Sequence, residues 1–412
     1  MSTSLNRLKS LHVSDLRGVA DVAVRTTRDV TGVTEGVHRS IHATLGLPGS
    51  ARPGRTAGIT GLVYRSIDGI TRLTGAGLDV ALGLTESLAT RLGHRPESSR
   101  ERDVLLGIVN GVLGDRLERA GNPLALPMAL RYRGAVIGPE AGHSLPDVNG
   151  KLLVMIHGLC MTEHGWKPSP GEAADDLGAR LAEQLGYTPV YLRYNTGRAI
   201  AANGAELSEQ LEALTAAWPV PVEDITLLGH SMGGLVARSA AREAAQQGHD
   251  WGRQLRHLIF LGTPHHGAPL ERAGAWIDAL LHATPWSRPF VALTTGRSQG
   301  IQDLRHGEHA LASPLETETA TACPLPEGVH ALAIAGTRSG AAQRTPSSND
   351  SEALACDGLV PVASALGRHP ERHRDLGLHD TARVILPAVN HLHLLRHPEV
   401  TRAVIGWLSA PR

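Results

Sequence analysis

The sequence predicts an α/β protein in which a mostly parallel sheet is flanked by helices, with an N-terminal helical region and an insertion late in the sheet. Three observations predict it. From residue 122 onward, short apolar runs recur that are too brief for helices. Amphipathic stretches at helical spacing separate these runs, the alternation expected of a parallel sheet with crossover helices. Residues 1–120 differ in texture: Val, Ile, Leu, Thr and Gly abound, Tyr64 is the sole aromatic residue, and apolar positions return at helical spacing.

In the N-terminal region Val33, Val37, Ile41 and Leu45 share one stripe. "GVTEGVHRSIHATL" (32–45) echoes "GITGLVYRSIDGIT" (58–71), pairing Val33 with Ile59, Thr34 with Thr60 and Val37 with Val63, which points to a duplicated helical unit. "GLPGSARPG" (46–54) separates the copies, and "GHRPESSR" (93–100) precedes a third helical segment, "ERDVLLGIVNGVLGDRLERAG". A small domain of three or four helices over 1–120 is expected. Its glycines and β-branched residues each cost tenths to about 1 kcal/mol relative to Ala, so packing must supply its stability. It carries 16 Lys or Arg against 12 Asp or Glu. With a wide apolar face, that composition admits peripheral association with a membrane or granule as well as simple docking on the rest of the chain.

The catalytic region is expected over 121–412. "MALRYRGAVI" (128–137) reads as two antiparallel strands, followed by strands at "LLVMI" (152–156), "VYLRY" (190–194), "ITLL" (225–228), "LIFL" (258–261), "ALAIAG" (331–336) and "RVIL" (383–386). "GEAADDLGARLAEQLG", "AELSEQLEALTAAW" and "GLVARSAAREAA" supply intervening helices, and Pro398 opens a closing helix in which Val400, Val404 and Leu408 share a face.

Bulk properties exclude several classes. Lys plus Arg equals Asp plus Glu at 40 each, so nothing in the overall balance points to nucleic acid. Cys160, Cys323 and Cys356 form neither a disulfide framework nor a thiolate metal site. No stretch reaches about 18 uninterrupted apolar residues, and the first 24 residues lack a signal-type apolar core, so a soluble, cytoplasmic protein is expected.

"LLGHSMGG" (227–234) carries the chemistry. A bare G-x-S-x-G in a chain with 46 glycines arises by chance on the order of a few tenths of a time, so context decides. Here the motif follows an apolar strand and precedes a small-residue helix, the arrangement that holds a serine hydroxyl on a tight turn. Gly229 and Gly233 admit the turn, and the helix N-terminus offers N–H groups to negative charge. A serine hydroxyl is a poor nucleophile at neutral pH and needs a base, an orienting acid and oxyanion donors. The Leu159 and Met232 amides are the expected oxyanion pair. His391, just after the last strand, is the expected base; His393 and His397 are its neighbours, and their H-x-H-x3-H spacing has no carboxylate or thiolate support as a metal site. Asp357, in the Gly-following turn of "ACDGLVPVASA", is the expected acid, with Asp350, Glu352, Asp375 and Asp380 as rivals in charge-rich stretches.

At these residues the chain resembles the α/β-hydrolase superfamily, and within it the serine esterases and lipases that include the GPI inositol-deacylase-like group. The resemblance spans 125–412 and rests on "HGL" at 157, "GHSMGG" at 229, "LGTPHHGAPL" at 261, "DGLVPVASA" at 357 and "NHLHLLRHPEV" at 390, in the family's order. It implies that Ser231 is the nucleophile, Asp357 the acid, His391 the base, and Leu159 and Met232 the oxyanion donors. It also implies that "GTPHHG" is a structural loop rather than a site using His265 and His266. No cofactor or metal is expected.

An insertion at about 268–325 concentrates Trp276, Leu280, Leu281, Trp286, Phe290 and Val291 where this fold carries a cap. Trp276, Trp286 and Phe290, with Trp166, are therefore expected to line a pocket for a lipophilic ester. Core burial is the plainer alternative, and for Trp166 a role in anchoring its own loop. The expected activity is ester hydrolysis through an acyl-enzyme; acyl transfer by the same residues and a non-catalytic lipid- or granule-binding role are the other readings.

Overall fold

Short runs that are apolar at every position suit strands covered on both faces, and those between 152 and 386 all form strands. The computed structural model describes residues 14–25, 27–28, 66, 68, 71, 99–138, 145–168, 176–268, 298–307, 324–338 and 356–410. Its strands are β1 (Ala129–Tyr132), β2 (Ala135–Ile137), β3 (Lys151–Ile156), β4 (Thr188–Arg193), β5 (Asp224–His230), β6 (Leu255–Leu261), β7 (His330–Gly336) and β8 (Arg383–Leu386). They form one sheet in the order β2-β1-β4-β3-β5-β6-β7-β8. β1 pairs antiparallel with β2 and β4, and the remaining neighbours are parallel. Arg133 and Gly134, both at positive φ, make the two-residue turn of the β1–β2 hairpin.

The helices are α1 (Arg100–Arg119), α2 (Leu177–Leu185), α3 (Ile200–Ala216), α4 (Met232–Gln247), α5 (Trp251–Gln254), α6 (Gln299–His306), α7 (Val362–Ala365) and α8 (Pro398–Leu408). α2 begins where Asp176 accepts from the Ala179 amide and ends at Gly186, φ 72°. α8 begins at His397, whose ring accepts from the Glu399 amide, with Pro398 in its first turn. Strand alternation divides the core into two layers. Leu153, Met155, Leu228, Ile259, Leu261, Leu332 and Ile334 pack with Leu177 and Leu181 of α2 and Val400 and Val404 of α8. On the opposite side of β7, Ala333 and Ala335 pack with Leu359, Val360, Ala365 and Leu366.

β4 lies on one side of β3 and β5 on the other. The connections after β3 and β5 therefore diverge at the carboxyl ends of these strands, the position at which open α/β sheets bind ligands.

Two compact units divide the chain, one of Met1–Arg102 with Leu117–Ala125 and the other of Asp103–Arg116 with Leu126–Arg412. The division falls inside α1, not after it at 120 as the sequence predicts. In the first unit residues 14–25 are helical. Arg102 pairs with both oxygens of Asp15 at 2.7 and 2.6 Å, and Asn122 Nδ2 donates to Asp21 at 2.8 Å and to the Gly18 carbonyl at 3.1 Å. The duplicated stretches at 32–45 and 58–71 lie almost wholly outside the described residues. Among the described residues no helix is long and apolar enough to cross a membrane.

Candidate active site

Ser231 stands between the last residue of β5 and the first of α4, at φ 54° and ψ −125°. A side-chain-bearing residue in such a conformation costs on the order of 1–3 kcal/mol and persists only where its surroundings over-determine it. Here the Ser231 amide donates to the Leu261 carbonyl at 2.8 Å, and the Ser231 carbonyl accepts from the Gly234 amide at 3.0 Å. The flanking glycines permit the turn: a Cβ on Gly229 would lie 2.5 Å from Gly234 Cα, and one on Gly233 2.6 Å from the His157 carbonyl oxygen. α4 starts at Met232 without a side-chain cap. Its first N–H groups have no acceptor in their own helix, and its positive end lies at Ser231.

Asp357 and His391 meet beside this turn, both buried, with His391 Nδ1 2.6 Å from Asp357 Oδ2. A carboxylate only accepts, so Nδ1 carries a proton and Nε2 is the ring atom left to face the serine turn. Asp357 Oδ1 accepts from the amides of Leu359 at 2.9 Å and Val360 at 2.8 Å. Burial alone would raise the Asp357 carboxyl; the His391 ring and these two amides outweigh it and hold the group below the usual carboxylate range. The His391 amide also donates to the Asp357 carbonyl at 3.0 Å. Leu261 and Gly262 join this pair to the serine turn. Leu261 accepts from Ser231, and a Cβ on Gly262 would lie 3.1 Å from both Asp357 Oδ2 and His391 Nδ1. His230, adjacent to Ser231, contacts the His391 carbonyl through Nε2 at 2.9 Å. Three residues far apart in sequence thus share one rim, at the ends of β5, β6 and β7.

The Leu159 loop closes the other side. A Cβ on Gly158 would lie 3.0 Å from Ser231 Cβ, so the segment after β3 abuts the serine. Cys160 holds φ 60°, and its amide donates to Thr196 Oγ1 at 3.1 Å. The middle of α1 presses on this loop. A Cβ on Gly107 would lie 2.8 Å from the Met161 carbonyl oxygen, and one on Gly111 2.9 Å from Cys160 N and Cα, nearer still to Sγ. One turn further, the Gly114 carbonyl accepts from Asn195 Nδ2 at 2.9 Å. Sequence reading gave α1 to the N-terminal region and missed this contact; glycines at 107, 111 and 114, on one helix face, were the available signal.

A charge network fixes the same loop from behind. Arg193 donates to both oxygens of Glu163, at 2.7 and 2.5 Å, and to Asp103 at 2.5 Å. Arg131 lies 3.1 Å from Glu163, and His164 Nε2 3.0 Å from Asp103. Burial pushes the Glu163 carboxyl up, but Arg193 and His164 more than offset it, and the carboxyl stays below its usual range. Asp103, Glu163 and His164 present ligand-type atoms together. Two guanidinium groups already neutralise the carboxylates, so the cluster is an ion-pair network and needs no metal.

Asp375 pairs with Arg383 at 2.6 Å, and Asp380 is exposed. His393 is exposed and His397 caps α8, so the H-x-H-x3-H spacing gathers no metal site. In the "GTPHHG" loop the His266 amide donates to Ser364 Oγ at 3.1 Å, and fully buried His265 contacts Arg238 at 3.1 Å. Trp166 corrects the expectation of a pocket wall: it is 0 % exposed, in the α2–α8 core layer, with its ring edge-on to His230. It anchors its loop because the one-turn helix Glu163–Trp166 directs it inward. Asp350, Glu352, Trp276, Trp286 and Phe290 lie outside the described residues. Of the expected cap, α6 is described and is not a lid: Ser298 donates to the Gly111 carbonyl at 2.6 Å, and Asp303 accepts from the Ile200 amide at 2.9 Å.

Residues 147–284 match the PGAP1-like alpha/beta domain family. The chain carries a mostly parallel eight-stranded sheet flanked by helices. The matched segment runs from just before β3 past the "GTPHHG" loop and so includes Leu159, Ser231 and Met232. Solved structures similar to this chain include the Bacillus licheniformis lipase BlEst2 in mature form, at 18% identity over 64% of this chain and 94% of that one, TM-score 0.38. Aspergillus fumigatus lipase B follows at 15% identity over 68% and 56%, TM-score 0.38, so that the chain spans little more than half of its length. The Pyrococcus furiosus esterase Pf2001 is similar at 14% identity over 63% and 80%, TM-score 0.36. No curated protein matches the sequence.

Proposed function

We propose that the protein is a serine carboxylic-ester hydrolase. The observation that carries this reading is the buried Asp357–His391 pair, 2.6 Å apart, at the same sheet rim as a serine held at positive φ. Ser231 is the nucleophile, His391 the general base, and Asp357 the group that fixes the imidazole tautomer. His391 Nε2 takes the Ser231 proton as Oγ attacks the ester carbonyl carbon. The Leu159 and Met232 amides stabilise the oxyanion, a donor of this kind contributing about 3–4 kcal/mol. His391 then passes the proton to the departing alkoxide, leaving an acyl-enzyme. Water, deprotonated by His391, attacks that carbonyl; the acid leaves and the Ser231 hydroxyl is restored. The apolar residues of the 268–325 insertion favour a lipophilic acyl group, and the wide apolar face expected in residues 1–120 favours peripheral docking on a lipid or granule surface.

The test is hydrolysis of a p-nitrophenyl ester series of increasing acyl length by the full chain, with Ser231→Ala beside it. A folded Ser231→Ala variant should lose several orders of magnitude in rate, and a fluorophosphonate should label the wild type at Ser231 alone. Retained hydrolysis in the variant refutes the assignment. Acyl product that appears only when an alcohol acceptor is supplied would point to transfer.

A further inference from the structure

His391 is held through its ring on Asp357, its amide on the Asp357 carbonyl, and, third, its own carbonyl on His230. The third comes from a residue that the reaction does not otherwise use. His230 is 0 % exposed, its ring centroid lies 4.7 Å from that of His391, and Trp166 meets it edge-on. A carbonyl oxygen only accepts, so His230 must carry its proton on Nε2. Nδ1 makes no hydrogen bond among the described residues, and a Cβ on Gly158 would lie 3.0 Å from it. The ring fits only as a neutral Nε2–H donor aimed at the base loop. Burial, with the His391 ring next, lowers its proton affinity to a pKa of about 3, which agrees with a ring that stays neutral.

We infer that His230 is a positioning residue: its Nε2–H tethers the His391 backbone to the nucleophile turn, so that base and nucleophile hold their separation as one unit. The link is short. One side chain spans from the residue before Ser231 to the carbonyl of His391 itself. A loop after β8 tied only to Asp357 would be referenced to the loop after β7, and would meet the end of β5 only through the packing of Leu261 and Gly262. Misplacement by about 1 Å costs on the order of 100-fold in rate.

This rests on the hydrolase reading, and its test separates the two. His230→Leu removes the donor at similar volume; His230→Gln returns an N–H at about the Nε2 position. We expect His230→Leu to lose at least about tenfold in kcat with KM unchanged, and to label with fluorophosphonate correspondingly slowly, with His230→Gln restoring most of both. A wild type that neither hydrolyses esters nor labels at Ser231 sinks the hydrolase reading and this one with it. A labelled wild type with His230→Leu at the wild-type rate overturns the tether alone, as does equal loss in both variants in step with their unfolding midpoints. Should His230→Leu fail to fold, 15N spectra of histidine-labelled wild type decide: His230 must remain the Nε2–H tautomer between about pH 5 and 8, and an Nδ1–H tautomer overturns the inference.

Discussion

Gly111 lies mid-helix, where Ala normally stabilises by about 1 kcal/mol. In this chain Gly111→Ala should destabilise. The new methyl would lie 2.9 Å from Cys160 N and Cα, and closer to Sγ. Carbon contacts settle at about 3.5–4.0 Å, so α1 and the Leu159 loop must part by more than half an ångström. Overpacking of this kind costs about 1–3 kcal/mol. The clash is with backbone, which cannot rotate away, so the upper end applies and the net loss is about 2 kcal/mol after the propensity gain. Gly406 is the internal control: it sits in α8 with nothing within 4 Å of its missing Cβ, and Gly406→Ala should gain up to about 1 kcal/mol.

Urea unfolding followed by tryptophan fluorescence reads both variants, with m unchanged so that midpoint shifts report stability. Ester hydrolysis reads the second consequence. On the proposed mechanism a displaced Leu159 amide weakens oxyanion binding, so kcat of Gly111→Ala should fall while that of Gly406→Ala stays at the wild-type value. Cys160→Gly removes Sγ and suits a residue at φ 60°, so the double variant should regain part of the stability. If Gly111→Ala gains stability in step with Gly406→Ala at unchanged kcat, α1 does not bear on the loop and the reasoning fails.

Asp357→Asn should fold and lose on the order of 10⁴-fold in kcat, because Asn Nδ2 donates where Asp accepts and favours the wrong His391 tautomer; rapid-mix kinetics at pH 7 measure it. Its acid stability should change as well. The Asp357 pKa lies below the unfolded carboxylate value of about 3.9. Its stabilisation is therefore complete above that value and is lost as pH falls through the folded pKa, so Asp357→Asn should flatten that limb of urea midpoint against pH. Arg193→Met leaves the Glu163 and Asp103 carboxylates without their shared partner and should cost about 3–5 kcal/mol in the same titration. A loss under about 1 kcal/mol would mean that Arg131 and His164 suffice. Cys160, pushed up to about 12 by burial, should resist alkylation at pH 8 in the native state and react on unfolding; mass mapping of iodoacetamide adducts would show the contrary.

The strands were legible because each is apolar at consecutive positions and too short to be anything else: Leu152 to Ile156 and Leu258 to Leu261 admit no second reading once flanking turns are marked. The serine turn was legible for a related reason, since Gly229 and Gly233 are needed only if strand and helix meet sharply at Ser231. α1 was misassigned because its glycines weaken helix propensity without announcing what they accommodate. The glycines at 107, 111 and 114 mark one face for close approach, but the partner surface, here Cys160 and Asn195, is not encoded within 100–119. The Asp103–Glu163–Arg193 network was hidden for the same reason: its members are 30 or more positions apart, and each alone reads as a solvated charge. Trp166 illustrates the converse. Aromatic bulk beside a catalytic loop suggests a pocket wall, but the direction of a side chain on a one-turn helix is set by the layer beneath it.

The backbone of Ser231 gives the most direct way to ask whether the site costs the fold anything. At φ 54° and ψ −125° a Cβ is disfavoured, and the conformation belongs to glycine. Ser231→Ala removes the hydroxyl and keeps the Cβ; Ser231→Gly removes both. If the Leu261 and Gly234 hydrogen bonds and the two flanking glycines force this conformation on whatever residue stands at 231, then Ser231→Gly should exceed Ser231→Ala in stability by about 1–3 kcal/mol in urea unfolding, with both inactive. Glycine's greater freedom in the unfolded chain works against the gain by about 0.4–1 kcal/mol, so a small positive difference still indicates strain. Equal stabilities, or a more stable Ser231→Ala, would mean that the turn relaxes around a side chain, and the serine would then be held by its neighbours' shape rather than against its own preference.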